Sequence, residues 1–141
     1  MKQSWVVQSN GRSGGLALLW KDPLTYSLNH IDVLVSGGPV LGRWHLIGFY
    51  GNLETVRRSE SRAKLKHLKG VAALPWLAIG GFNELTSSLE KEGGGGRPRQ
   101  QMDNFVEAIN FCDLRDIGFV GPKFTWIYQR ADGTQIKERL D

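Results

Sequence analysis

The chain has 141 residues, enough for one domain and too few for two, and 40% hydrophobic with 23% charged residues is the composition of a packed soluble fold, not of a disordered tail. A net charge of +4 favours a polyanionic partner, while the single cysteine excludes an intramolecular disulfide and a thiolate zinc site. The longest apolar run, Val71 to Ile79, is broken by Pro75 and far too short to span a bilayer, and Met1 to Gln8 lacks an apolar core of signal-peptide length. The expectation is an intracellular protein of nucleus or cytoplasm.

In chain order, Trp5 to Gln8 reads as a short strand, Ser9 to Gly15 as a turn-rich loop, and Leu16 to Trp20 as a second, buried strand. The glycines before Leu16 do not make a phosphate-cradling loop, because that motif needs a Lys-Ser/Thr pair opening a helix and here a strand pattern follows. Asp22-Pro23 is a turn. Tyr26 to Val35 alternates, with Leu28, His30, Asp32 and Leu34 on one side and Ile31, Val33 and Val35 on the other. Gly37-Gly38-Pro39 ends that pattern, and Trp44 to Tyr50 resumes it as a strand. His30 and His45 read as structural residues, since no Ser, Cys or His partner stands at a recognisable spacing.

Val56 to Ala73 has helical periodicity, with Ser61, Leu65, Leu68 and Ala72 on the apolar side. Arg58, Arg62, Lys66 and Lys69 line the opposite side, as a charged outer face or as a grip for phosphate. Pro75 cannot donate to a sheet, so it precedes the apolar run Trp76 to Ile79, which suits a central strand covered on both faces. Gly80-Gly81 then turns the chain and Asn83 and Glu84 project from the following loop. Loops at the carboxyl ends of strands are where α/β sheets commonly hold ligands.

Leu85 to Gln100 is a long polar stretch with four consecutive glycines, Gly93 to Gly96, followed by Arg97-Pro98-Arg99. A mobile surface loop is expected, with Arg97 and Arg99 as candidate phosphate contacts or solvated charges. Met102, Phe105, Val106, Ile109 and Cys112 mark one face of a helix starting near Gln101, with Cys112 as a buried small hydrophobe. Phe124 to Tyr128 is a strand, Arg130 to Gly133 a turn, and Lys137 to Asp141 opens another strand.

The stretch Gly80-Gly81-Phe82-Asn83 resembles the Gly-Asp-Phe-Asn signature of the endonuclease/exonuclease/phosphatase superfamily, with Gly81 where the family has its aspartate. Together with the glycine-rich turn before Leu16 and the Phe124-Thr125-Trp126 strand, the chain is most similar to the apurinic-type endonuclease domain of LINE-type (non-LTR) retrotransposons, especially plant ones. The resemblance covers essentially all of the chain and implies residues 1–141 to be the middle of that domain. The implied fold is an α/β two-sheet sandwich truncated at both ends. The metal-binding glutamate of the family would fall before Trp5, and its Asp-His motif after Asp141.

What the resemblance implies is a metal-dependent phosphodiesterase that nicks DNA, with magnesium as cofactor and DNA phosphates as partner. Tyr50, Asn83 and Asp141 would be the catalytic positions present, Gly81 the degenerate one, and Thr125 a substrate contact. Glycine offers no side-chain oxygen to aim water, and losing a general base typically lowers a rate by about 10²–10⁴-fold. With the family's metal glutamate and Asp-His motif also outside this sequence, the expected state is a catalytically impaired endonuclease fold whose hold on magnesium, through Glu84 or Asp141, is weak. The alternatives are a non-catalytic nucleic-acid-binding module or an unselected retroelement remnant.

Overall fold

The computed structural model describes residues 3–7, 16–20, 25–27, 30–71 and 73–141. The turns expected at Ser9 to Gly15 and Asp22-Pro23, and the placements expected of Leu28 and Ala72, lie outside the described residues. Helices and strands are mixed, giving an α/β chain. Strands β1 (Gln3–Val7) and β2 (Leu16–Trp20) pair antiparallel, with Gln3 opposite Trp20 and Val7 opposite Leu16.

The central sheet has four strands in the order β3 (Thr25–Ser27), β4 (His30–Ser36), β5 (Arg43–Phe49) and β6 (Trp76–Ile79). The run from Tyr26 to Val35 is not one strand: Ser27 pairs with His30, so the chain doubles back and β3 and β4 form an antiparallel pair. Gly37-Gly38-Pro39 leads into a single helical turn, α1 (Gly38–Leu41), closed by Gly42 at a φ of 65° before β5 returns antiparallel to β4.

From β5 the chain crosses through α2 (Arg58–Val71) to β6, which lies parallel to β5 with His45 opposite Trp76 and Gly48 opposite Ile79. A crossover of this length is what parallel pairing demands. Ser61, Leu65 and Leu68 face inward, as their spacing predicts. The second long helix, α3 (Arg99–Phe111), starts two residues earlier than its apolar pattern does and buries Phe105 and Ala108. The core is Ile47, Phe49, Leu65, Leu68 and Cys112, with Trp76, Phe82 and Leu114 packed against it. Cys112 is a buried hydrophobe, its thiol pushed up by burial.

A third sheet has the order β7 (Lys91–Glu92), β9 (Gln135–Glu138), β8 (Trp126–Gln129), all antiparallel. Strand β8 starts two residues later than its aromatic composition suggests. Strand β9 starts two residues earlier than expected and ends at Glu138, so Arg139 to Asp141 continue outside it.

Two expectations need correction. Strand β6 is an edge of its sheet among the described residues and not a central strand: Leu77 and Ile79 remain 36% and 59% exposed. Trp76 and Ala78 face the helices while the alternate face is left open, because period-two alternation can cover only the side where α2 and α3 lie. The basic stripe of α2 is neither an outer face nor a free phosphate grip. Lys66 pairs with Glu107 of α3, Lys69 with Asp113 and the Phe111 carbonyl at the end of α3, and Arg62 with Glu84. The stripe joins the two helices and favours the carbonyl end of α3 electrostatically.

Candidate functional site

The two loops at the carboxyl ends of β5 and β6 run against each other at van der Waals limits. The Gly51 amide donates to the Gly81 carbonyl (2.9 Å). A Cβ on Gly51 would lie 2.1 Å from the Phe82 carbonyl oxygen, and one on Gly80, whose φ is 136°, would lie 2.2 Å from that of Phe49. Both positions therefore demand glycine. Gly80→Ala is expected to destabilise the fold by at least about 2 kcal/mol through this backbone collision, read as a lowered midpoint in urea unfolding.

Gly81 is different in kind. The atoms nearest a Cβ there are two carbons of the Tyr50 ring, at 3.3 and 3.5 Å, and the Asn83 Oδ1, at 4.0 Å, with no backbone atom nearer. The fold does not require glycine at 81, and a side chain added there points between Tyr50 and Asn83.

Asn83 is buried and held through its side-chain nitrogen, its backbone amide and its carbonyl. Its backbone is left-handed at a φ of 59°, a conformation Asn tolerates better than most residues. Its side-chain Nδ2 donates to the Gly51 carbonyl at 2.7 Å, and its amide donates to the Leu140 carbonyl at 3.2 Å. Its own carbonyl accepts from Arg97 Nη1 at 3.0 Å. The neighbouring Phe82 ring stacks on Phe49 (5.4 Å between centroids) and lies 5.8 Å from Phe105, which fixes the loop to the core.

The chain end reaches the same place. The Leu140 carbonyl also accepts from the Phe82 amide (2.7 Å), and the Leu140 amide donates to Thr125 Oγ1 (3.1 Å). Asp141, exposed, follows directly, and Thr125 and Asp141 line one cavity. So Tyr50, Gly81 and Asn83 converge, and Thr125 and Asp141 are tied to their loop through Leu140.

Arg97 is occupied elsewhere than on a phosphate. Its Nε and Nη2 donate to the two Glu138 oxygens at 3.3 and 2.6 Å and its Nη1 to Asn83, so each guanidinium nitrogen has a protein acceptor. Arg97 thus straps the glycine loop inward over Asn83, where a free surface arginine was expected. Arg99 lies on the first turn of α3, 90% exposed, 3.8 Å from Asp103.

Sequence reasoning missed Glu138, and it read Glu84 as a projecting residue and weak magnesium ligand where it is buried and paired with Arg62. Glu138 accepts from Lys91 (2.6 Å) as well as Arg97. Burial works to raise its carboxyl, but the hydrogen bonds and charges of Arg97 and Lys91 outweigh it and hold Glu138 below the ordinary range. Glu84 takes both oxygens to Arg62 at 2.8 and 3.0 Å, yet burial dominates and pushes its carboxyl up. Arg58, also buried, is pushed down by burial and by Arg97. The partners stand 22 to 47 positions apart, a separation with no local sequence signal.

Magnesium takes several oxygen ligands with waters, from one or two carboxylates and substrate phosphates. Glu84 is closed off by Arg62, Asp141 stands by itself, and among the described residues no three His, Cys, Asp or Glu side chains converge. The side chains present here do not fit a magnesium cage. Neither a family model nor a curated protein matches this chain.

Proposed function

We propose that this chain is the central part of a phosphodiester-cleaving domain of the endonuclease/exonuclease/phosphatase type, from the apurinic-type endonuclease branch of LINE-type retrotransposons. On this reading the four-stranded and three-stranded sheets are the two layers of its sandwich, the substrate is the DNA backbone, and cleavage is impaired because Gly81 stands where an aspartate would aim water. The observation that carries the reading is the contrast between two adjacent glycines. Gly80 is dictated by the backbone, whereas Gly81 has no left-handed φ and its side chain would meet only the flexible Tyr50 ring, 3.3 Å away, on its way toward Asn83.

In this site Asn83 supplies a firmly held amide and Tyr50 an aromatic ring beside Gly81, while Thr125 and Asp141, tied to the loop through Leu140, line a cavity. Side chains fixed this way can bind and orient a phosphate without reorganising. None of them replaces the missing base. A purely nucleic-acid-binding role draws less support, because Arg62, Lys66, Lys69 and Arg97 are already engaged with protein acceptors.

Nicking of supercoiled plasmid in magnesium tests the proposal. The chain is expected to nick no faster than its Asn83→Ala variant. Nicking well above that variant would mean that the site is active without a carboxylate at 81, and would overturn the impaired-enzyme reading.

A further inference from the structure

Strand β9 ends at Glu138, and the next two residues reach the candidate site. The Leu140 carbonyl accepts from both the Phe82 amide (2.7 Å) and the Asn83 amide (3.2 Å). Asn83 sits at a φ of 59°, and a residue other than glycine keeps such a backbone only where its surroundings hold it there. Whatever fixes Leu140 therefore also fixes Asn83.

Leu140 is itself held from two sides. Its amide donates to Thr125 Oγ1 (3.1 Å), and the residue before it, Arg139, is anchored through backbone and side chain alike. The Arg139 amide donates to the Glu90 carbonyl (2.9 Å), and its Nη2 donates to Asp116 Oδ2 (2.7 Å). Its Nη1 stands 3.6 Å from Glu90 Oε1, and its guanidinium carbon lies 4.8 Å from the centre of the Phe119 ring, within cation–π range.

The two carboxylates are preformed anchors. Glu90 Oε2 accepts from the Thr86 amide (2.6 Å) in its own turn, and Asp116 Oδ1 accepts from the Gly118 amide (2.7 Å) in its own loop. Each carboxylate thus uses one oxygen locally and presents the other to Arg139, whose side chain is 16% exposed.

We propose that Arg139 is a positioning residue for Asn83. Through Leu140 it holds the amide end of the backbone whose carbonyl end Arg97 holds, and it couples Asn83 to the turn at Glu90 and the loop from Asp116 to Phe119. Its part in the site rests on the proposed reading of Asn83 as a catalytic position.

Amide hydrogen exchange followed by NMR on the full chain and on Arg139→Ala tests the proposal. The Phe82 and Asn83 amides are expected to exchange at least about tenfold faster in the variant, since losing a charge-assisted hydrogen bond permits local opening. The His45 amide, which donates to the Pro75 carbonyl at the other end of β6, is expected to keep its rate. A role in overall stability alone would accelerate all three together. Asp116→Asn keeps the shape and removes the charge, so it decides the matter through a smaller change at the same two amides if Arg139→Ala does not fold. Unchanged exchange at Phe82 and Asn83, or equal acceleration at His45, overturns the proposal. Plasmid nicking by Gly81→Asp reads the function separately: adding Arg139→Ala should lower kcat and leave KM little changed. A raised KM at unchanged kcat would make Arg139 a substrate contact and overturn the positioning role. Faster exchange at the two amides with no nicking by Gly81→Asp would uphold the hold on Asn83 and count against the phosphodiesterase reading instead.

Discussion

Glu138→Ala is expected to destabilise the chain by about 3–5 kcal/mol, the usual consequence of removing one member of a buried ion pair. Among the described residues Glu138 is the one carboxylate that Lys91 and Arg97 share, and its side chain is 8% exposed. Without it two cations face each other across a mostly buried space, with Arg58 already pushed down by burial and then by Arg97. The change also frees Arg97 from the loop it straps, so Asn83 loses the firm hold on its carbonyl. Urea unfolding of the variant should show the drop as a lower midpoint with little change in slope.

The same carboxylate sets an acid limb. Its folded-state pKa lies below the ordinary 4.5, so its contribution is complete above that value and is lost as pH falls through the folded one. Glu84 works in the opposite sense. Its folded-state pKa is raised, so folding disfavours its ionised form and its contribution declines as pH rises from 4.5 through the folded value. Glu138→Gln should therefore flatten the loss of stability below pH 4.5, measured by unfolding at a series of acid pH values.

Much of the architecture was legible from period and punctuation. The apolar repeats of α2 and α3, the strand Leu16 to Trp20 and the strand beginning at Trp76 all follow from local pattern, and local pattern is what periodicity records. The doubling back between Ser27 and His30 was not legible, because alternation continues through both strands of a pair as readily as along one. The edge position of β6 escaped for a related reason. An apolar four-residue run says that a strand is apolar on both faces, but not whether both are covered.

The site divided in the same way. Tyr50, Gly81 and Asn83 stand at strand ends where glycine punctuation points, and the fold brings them together. Arg97 and the α2 stripe were visible as charge but not as partners, since Glu84, Glu107, Asp113 and Glu138 reach them only through the fold. Long-range ion pairs between ordinary charged residues leave no trace in spacing.

Gly81→Asp is the substitution from which the largest functional change is expected. Gly81 has no left-handed backbone to forbid a side chain, and the nearest obstacle is the Tyr50 ring, which sits at a strand end and can yield by a few tenths of an ångström. The new carboxylate would start between the Tyr50 ring and Asn83 Oδ1. A positioned general base contributes about 10²–10⁴-fold in rate, and the lower end is the fair expectation where other groups are not optimised.

The decisive measurement is plasmid nicking in magnesium by Gly81→Asp beside Gly81→Asn, which has nearly the same shape and no basicity. A gain of about 100-fold for aspartate, none for asparagine, and loss of the gain on adding Asn83→Ala is the predicted result. Equal rates for the two variants, with both folded, would contradict the claim that a carboxylate at position 81 is the one that aims water in this site.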